Sequence, residues 1–316
     1  MTRVLDGVDA FLDQLGSVDF LPLALAICAH LLKMACTSRA WRNVLAASYP
    51  GSRVPWISIY FAYLAGVGIN AIIPARAGDA VRIVLVHRVI PGSTYTTIVS
   101  STLVLSFFDM FAASLFLGWA LSTNQLPGID VLARFESFDF AWIFARPLLF
   151  DLVVAGILVA IGLVAFWIAG HVANFRERVA QAFRVMSPPT RYLGRVATWQ
   201  AADWGLRFVT IWFLLDAFNI PQSLENASLV QVSSSVATLF PITPAGIGTE
   251  QAFLLYVLSG VASASVLLAF SVGAKLTLTL TNVVAGFTVI VFTLRTVRFK
   301  QALGPATDAA EPDSPV

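Results

Sequence analysis

Two apolar stretches of this chain are broken at the point where a membrane helix would have to continue, and those breaks constrain the fold most. In the first, "NAIIPARAGDAVRIVLVHR" from Asn70 to Arg88, a long apolar run gives way to Pro74, Arg76, Gly78, Asp79, Arg82, His87 and Arg88. In the second, "FPITPAGIGTEQAF" carries Pro241, Pro244, Gly246 and Gly248 just ahead of Glu250. Proline has no amide hydrogen and clashes with the preceding turn, and glycine opens backbone conformations closed to other residues, so a helix must stop at both places. At membrane depth the freed backbone groups are tolerated only when buried in protein or lining a wet cavity.

The solvent is a bilayer. Of the 316 residues 58% are hydrophobic and 12% charged, with a mean hydropathy of +0.79, whereas soluble domains are roughly a quarter charged. A spanning helix takes about 20 apolar residues. Phe20 to Cys36, Tyr95 to Leu121, Leu148 to Ala169 and Trp199 to Phe218 qualify, and Ser263 to Leu294 is long enough to tilt or to break near Gly273. Trp56 to Ile90 and Leu229 to Ser259 are apolar at both ends and interrupted in the middle. The net charge of +2 says little about partners, and nothing points to nucleic acid. The N-terminus, with Asp6, Asp9, Asp13 and Asp19 against Arg3, lacks the basic start of a secretory signal. Cys28 and Cys36 lie roughly 12 Å apart along one helix, too far to bridge. The tail, 295–316, is read as disordered from its proline, alanine and acidic content.

Basic residues in short loops favour the cytoplasm. Thr37 to Arg53 carries Arg39, Arg42 and Arg53 without an acid, His171 to Arg195 carries five arginines against Glu177, and the C-terminal flank carries Arg295, Arg298 and Lys300. These three are expected inside. Ser122 to Arg146, which mixes Asp130, Glu136 and Asp139 with Arg134 and Arg146, and Asn219 to Ala227, with only Glu225, are expected outside with the acidic N-terminus. Parity then requires each interrupted segment to enter the membrane and return on the side from which it came. The expected fold is an all-α polytopic membrane protein of inverted-topology repeats, each with a broken re-entrant hairpin. The N-terminal segment is 1–18 and the transmembrane domain 19–294, with repeats over about 19–122 and 199–294 joined by a helix at 147–170. It is placed in the cell membrane as a multi-pass protein, N-terminus outside and C-terminus inside.

The tips "PARAGD" and "PAGIGT" share proline, glycine four residues on, and a polar residue. In the first, the amides of Ala77 to Ala80 would open the return helix with its positive end inward, a suitable place for an anion. Arg76 and Arg82 add fixed charge whose planar forks match phosphate oxygens, and Asp79 could hold one of them. His87 and Arg88 read as marks of the hairpin's return. Glu250 opens a helix, as a dipole partner or as a gating or proton-coupling group. Lys275 and Asp109 are isolated charges in apolar helices, most cheaply satisfied by pairing Asp109 with Lys275 or Arg76, while Asp203 and Arg207 read as a pair four apart on one helix. "ANFRERVAQAFRVM" reads as a basic amphipathic stretch lying on the inner surface.

These two signatures resemble the paired motifs of the lysylphosphatidylglycerol synthase transmembrane, or flippase-like, family, over about Phe20 to Leu294. Asn70, Pro74, Arg76, Gly78, Asp79 and Arg82 match the first motif, and Pro241, Pro244, Gly246, Gly248 and Glu250 the second. The family's Glu-Arg-x-x-Asp element is here Leu105-Ser106-Phe107-Phe108-Asp109, keeping only the aspartate. The resemblance implies movement of an anionic or aminoacylated phospholipid, or a related lipid-linked substrate, between leaflets. It implies Asn70, Arg76, Gly78, Asp79 and Arg82 at the substrate, where Lys275 is added as an isolated cation of an apolar helix, and Pro74, Asp109, Pro241, Pro244, Gly246, Gly248 and Glu250 in gating or structure. No soluble aminoacyltransferase domain is present in this sequence, and no cofactor, metal or nucleotide loop is expected. The expected partners are membrane phospholipid, an envelope-synthesis enzyme or a second copy of the chain. Two other functions stay open: a non-transporting partner of an envelope lipid or glycan synthesis enzyme, and an intramembrane aspartyl protease using Asp79 and Asp109. The sequence has no H-E-x-x-H or G-x-S-x-G motif.

Overall fold

Asp19 starts the first helix by accepting the Leu21 amide with its own side chain, and the chain then stays helical from Phe20 to Ser48. In this computed structural model residues 16–73, 76–122, 173–239 and 249–296 are described, and every regular element among them is helical. Helix α1 (Phe20–Ser48) outruns the expected span, so Arg39 and Arg42 sit on it rather than in a loop. The reason is visible in its far half. Ala40, Trp41, Val44 and Leu45 continue the buried stripe, and no helix breaker intervenes before Pro50 and Gly51.

Helices α2 (Trp56–Ile72) and α3 (Ala77–Val89) flank the first expected break; Pro74 itself lies outside the described residues. They form an antiparallel hairpin, in which Ile59 packs in one cluster with Val86 and Ile90 near the base. Higher up, Gly66 and Gly78 meet backbone to backbone: a Cβ on Gly78 would sit 1.9 Å from the Gly66 carbonyl oxygen. The hairpin leaves and returns at one end of the bundle, because Ser52 Oγ donates to the Pro91 carbonyl (3.4 Å) and the Thr94 amide to the Tyr49 hydroxyl (3.0 Å). Helix α4 (Tyr95–Ser122) then runs back along α1, tied by the Trp41 indole donating to Ser101 Oγ at 2.8 Å.

Helix α5 (Ala173–Ala182) and a 3-10 turn (Phe183–Met186) hold the basic amphipathic stretch. It is docked on protein as well as facing outward. Gln181 donates to the Ser48 carbonyl (2.8 Å), Thr97 to the Arg178 carbonyl (3.1 Å), and Val185 is buried with Ala40, Val44, Val104 and Val196. A short α6 (Pro189–Tyr192) and a π-helical turn (Leu193–Ala197) lead into α7 (Thr198–Ala217).

Helix α7 lies antiparallel along nearly all of α1. Asn43 donates to the Arg195 carbonyl at one end, Thr37 bonds Asp203 in the middle, and the Asp19 amide reaches the Ala217 carbonyl at the other. α7 therefore covers the depth of α1, although only α1, Tyr95–Phe116 and Ala264–Phe292 are long and apolar enough by composition to count as spans among the described residues. Helices α8 (Leu224–Leu239) and α9 (Thr249–Val257) form the second hairpin, whose tip, 240–248, lies outside the described residues. Its base is at the opposite end from the first: Leu258 and Ile220 cluster with Ala217, Phe218 and Leu267, beside the start of α1. Helix α10 (Ala264–Thr296) runs unbroken, so of the two alternatives, a tilt or a break near Gly273, the break does not occur; a lone glycine costs a helix only about 1 kcal/mol. It also carries Arg295 and Thr296, assigned above to the tail. The helix expected at 147–170 lies outside the described residues.

α10 touches α2 through a second glycine contact, a Cβ on Gly286 falling 2.7 Å from the Gly68 Cα. Small residues at such crossings let helix backbones approach in a membrane, where apolar burial alone drives no association. Gly78→Ala is accordingly expected to lower stability by about 2 kcal/mol, since the clashing atom is backbone. Gly205→Ala, with open space at its Cβ, is expected to lose nothing; thermal unfolding of the two variants in detergent compares them.

Candidate functional site

The tip of the first hairpin is a closed polar network. Asn70 reaches up from α2, its carbonyl oxygen accepting the Gly78 amide (2.8 Å) and its amide donating to Asp79 (2.9 Å). The Asp79 amide bonds the Arg76 carbonyl at 3.0 Å. The Gly78 amide, expected to stay free for an anion, is thus capped from within. Asp79 holds both arginines, Arg76 at 3.4 Å and Arg82 at 3.3 Å. Arg76 adopts left-handed backbone (φ 59°), unusual for a residue with a Cβ, and this turns the chain into α3. Its side chain is 87% exposed. Arg82 lies instead over the rings of Trp41 (5.5 Å) and Tyr63 (5.9 Å). His87 bonds Ser93 and stacks on Tyr95, at the hairpin base where the return was expected.

A second polar group forms where α1, α7, α10 and the second hairpin meet. On α1, His30, Lys33 and Thr37 are spaced i, i+3, i+7 and share a face; on α10, Ser271, Lys275, Thr279 and Asn282 do the same. Between them and α7, α8 and α9 lies a cavity of 310 Å³, lined among others by His30, Lys33, Arg207, Gln231, Glu250 and Lys275. His30 Nε2 pairs with Asn282 Oδ1 at 2.8 Å. Glu250 accepts from Ser234 (2.6 Å) and from Lys275 (2.9 Å), joining α9 to α8 and α10. Arg207 is braced from behind by Asp203 (2.8 Å) and Asp109 (3.3 Å), and Asp109 also accepts the Trp204 indole. The lining presents three cations, Lys33, Arg207 and Lys275, to one carboxylate, Glu250. The Lys33 ammonium has no hydrogen bond or ion pair among the described residues.

Lys275 and Glu250 are therefore on the cavity, while Asn70, Arg76, Gly78, Asp79 and Arg82 form the separate hairpin network. The pairing of Asp109 is corrected. It meets Arg207, not Lys275 or Arg76, because α4 runs beside α7 while Lys275 faces α9. The Asp203–Arg207 pair exists but is not self-contained: Asp203 also accepts from Thr37 and Arg207 also reaches Asp109. Asp79 and Asp109, the pair considered for proteolysis, share no partner among the described residues. Pro74, Pro241, Pro244, Gly246 and Gly248 lie outside the described residues. Sequence reasoning passed over His30, Lys33 and Asn282. The signal was there, since an ionisable residue within an apolar run is functional by default.

Residues 4–286 match the family described as the lysylphosphatidylglycerol synthase TM region. The chain belongs to that family. Membership makes it a membrane protein of lipid metabolism or transport, and no curated protein matches it. Asp109, the one residue kept of the expected Glu-Arg-x-x-Asp element, takes its cation from α7, where Arg207 lies 3.3 Å away.

The Glu250–Lys275 pair ties the second hairpin to α10, so removing either partner strands the other in a half-buried site. Lys275→Met and Glu250→Gln are each expected to destabilise the protein, and the double variant by less than their sum, with a coupling of about 1 kcal/mol. Thermal unfolding of the four proteins in detergent measures it.

Proposed function

We propose that this protein moves a phospholipid or lipid-linked substrate bearing an anionic headgroup between membrane leaflets, with the cavity as the headgroup's station on the way. The observation that carries this is the cationic cavity itself, lined by the spanning helices α1 and α10 together with α7 and the second hairpin. Charges in such a place are expensive unless they serve a ligand or one another, and here the Lys33 ammonium makes no hydrogen bond or ion pair among the described residues. Its volume falls at the low end of small-molecule sites, about 300–1,000 Å³, enough for a headgroup while acyl chains remain in lipid.

The arrangement of the hairpins supports the same reading. One opens from the end of the bundle where α1 finishes and the other from the end where α1 begins, and each is flanked by long helices that pair across the centre. We read them as re-entrant elements of two inverted repeats, the architecture that places a binding site between broken helices near the bilayer midplane. The end holding Arg39, Arg42, Arg53, Arg176 and Arg178 is assigned to the cytoplasm by its positive charge, which puts the N-terminus outside and the C-terminus inside the cell membrane. Covalent chemistry is not part of the proposal.

Proteoliposomes that carry a fluorescent anionic lipid in one leaflet test it. The protein is expected to raise leaflet exchange above that of protein-free vesicles, and Arg207→Ala to lower the protein-dependent rate about tenfold or more, the effect of losing one charge-assisted hydrogen bond. Exchange no faster than in empty vesicles, under gradients of either sign, would remove the proposal.

A further inference from the structure

The family description names a lysylated lipid, whose aminoacyl group adds ammonium charge to the phosphate. The described lining of the cavity is not built for that group. An ammonium needs a carboxylate or a set of free acceptors, and the only carboxylate among the described lining residues, Glu250, is already engaged by Lys275 and Ser234. Asp109 and Asp203 are turned onto Arg207, and the masking of their charge by that guanidinium leaves its remaining donors to face the cavity. The unengaged charge is of the other sign: the ammonium of Lys33, aligned on α1 with His30, next to Arg207.

We infer that the cavity selects a phosphate headgroup with neutral hydroxyl substituents, of the phosphatidylglycerol class, and rejects its aminoacylated form, with Lys33 as the residue that sets this preference. The inference rests on the reading of the cavity as a headgroup site. Lys33 and Arg207 take the phosphate oxygens, and Gln231, Thr279 and Asn282 provide neutral polar atoms for the hydroxyls. An added ammonium would stand against Lys33 with no counter-charge, and like charges at close range in a poorly screened site repel strongly. A lone cation is also the cheapest specificity device, because it attracts the right ligand and repels the wrong one with a single side chain.

The experiment compares labelled phosphatidylglycerol and lysylphosphatidylglycerol in proteoliposomes, and short-chain forms of both in binding to the detergent-solubilised full chain. The unmodified lipid is expected to be favoured about tenfold or more. Lys33→Gln should erase most of that preference, and Lys33→Glu should reverse it; since the Lys33 ammonium makes no ion pair among the described residues, Lys33→Gln is expected to keep the parent's thermal stability. Equal or faster handling of the lysylated lipid by the unaltered protein overturns the inference while leaving lipid movement intact. If neither lipid moves, the transport reading falls and the binding preference alone decides this one: selective, Lys33-dependent binding of the unmodified lipid upholds it, and its absence removes it. Soluble glycerol phosphate that binds as tightly as the short-chain lipid would show a water-soluble ligand and overturn it too.

Discussion

An ionised side chain inside a bilayer has three outlets: a partner of opposite charge, trapped water, or a ligand. Most of this structure can be read as the working out of that constraint. Asp203, Arg207 and Asp109 answer one another across three helices, α1 contributing Thr37 to the same chain of contacts. Glu250 and Lys275 answer one another across α9 and α10. Asp79 answers two arginines at once. These links are also the seams that set helix against helix, since apolar surface has no preference between lipid and protein. Lys33 stands apart from this balance, and the functional argument begins there.

The end of α2 at Ile72 and the fresh start of α3 at Ala77 were legible from proline and glycine alone, because backbone chemistry decides them locally. What stayed hidden was which helix meets which. Asp109 offered no hint that its partner lay nearly a hundred residues on at Arg207, and the i, i+4 spacing of Asp203 and Arg207 suggested a pair needing nothing else. Pair spacing reports neighbours on one helix; it is silent about the facing one. The same holds for the glycines. Gly66, Gly68 and Gly286 look like ordinary small residues of apolar runs until the crossing of α2 with α3 and α10 shows that a methyl group would not fit.

The extents of α1 and α10 were misjudged for a related reason. Hydropathy marks where a helix leaves hydrocarbon, not where it ends, so α1 carries on past Cys36 with arginines on one side and buried Trp41, Val44 and Leu45 on the other. Gly273 alone could not stop α10, whereas proline with glycine could stop α2. The contrast separates a weak breaker from a strong one within a single chain.

That continuity of α10 has a mechanical consequence. At Gly286 the rod is pinned against the first hairpin by backbone contact, and at Lys275, eleven residues and about 16 Å nearer its start, it is clipped to the second by an ion pair. A stiff beam fastened at two points cannot rock at one without levering the other. Beyond the clip, the apolar packing of Leu254 and Leu258 on Leu267 and Phe270 holds the second hairpin to α10, so the two hairpins are mechanically linked through one strut.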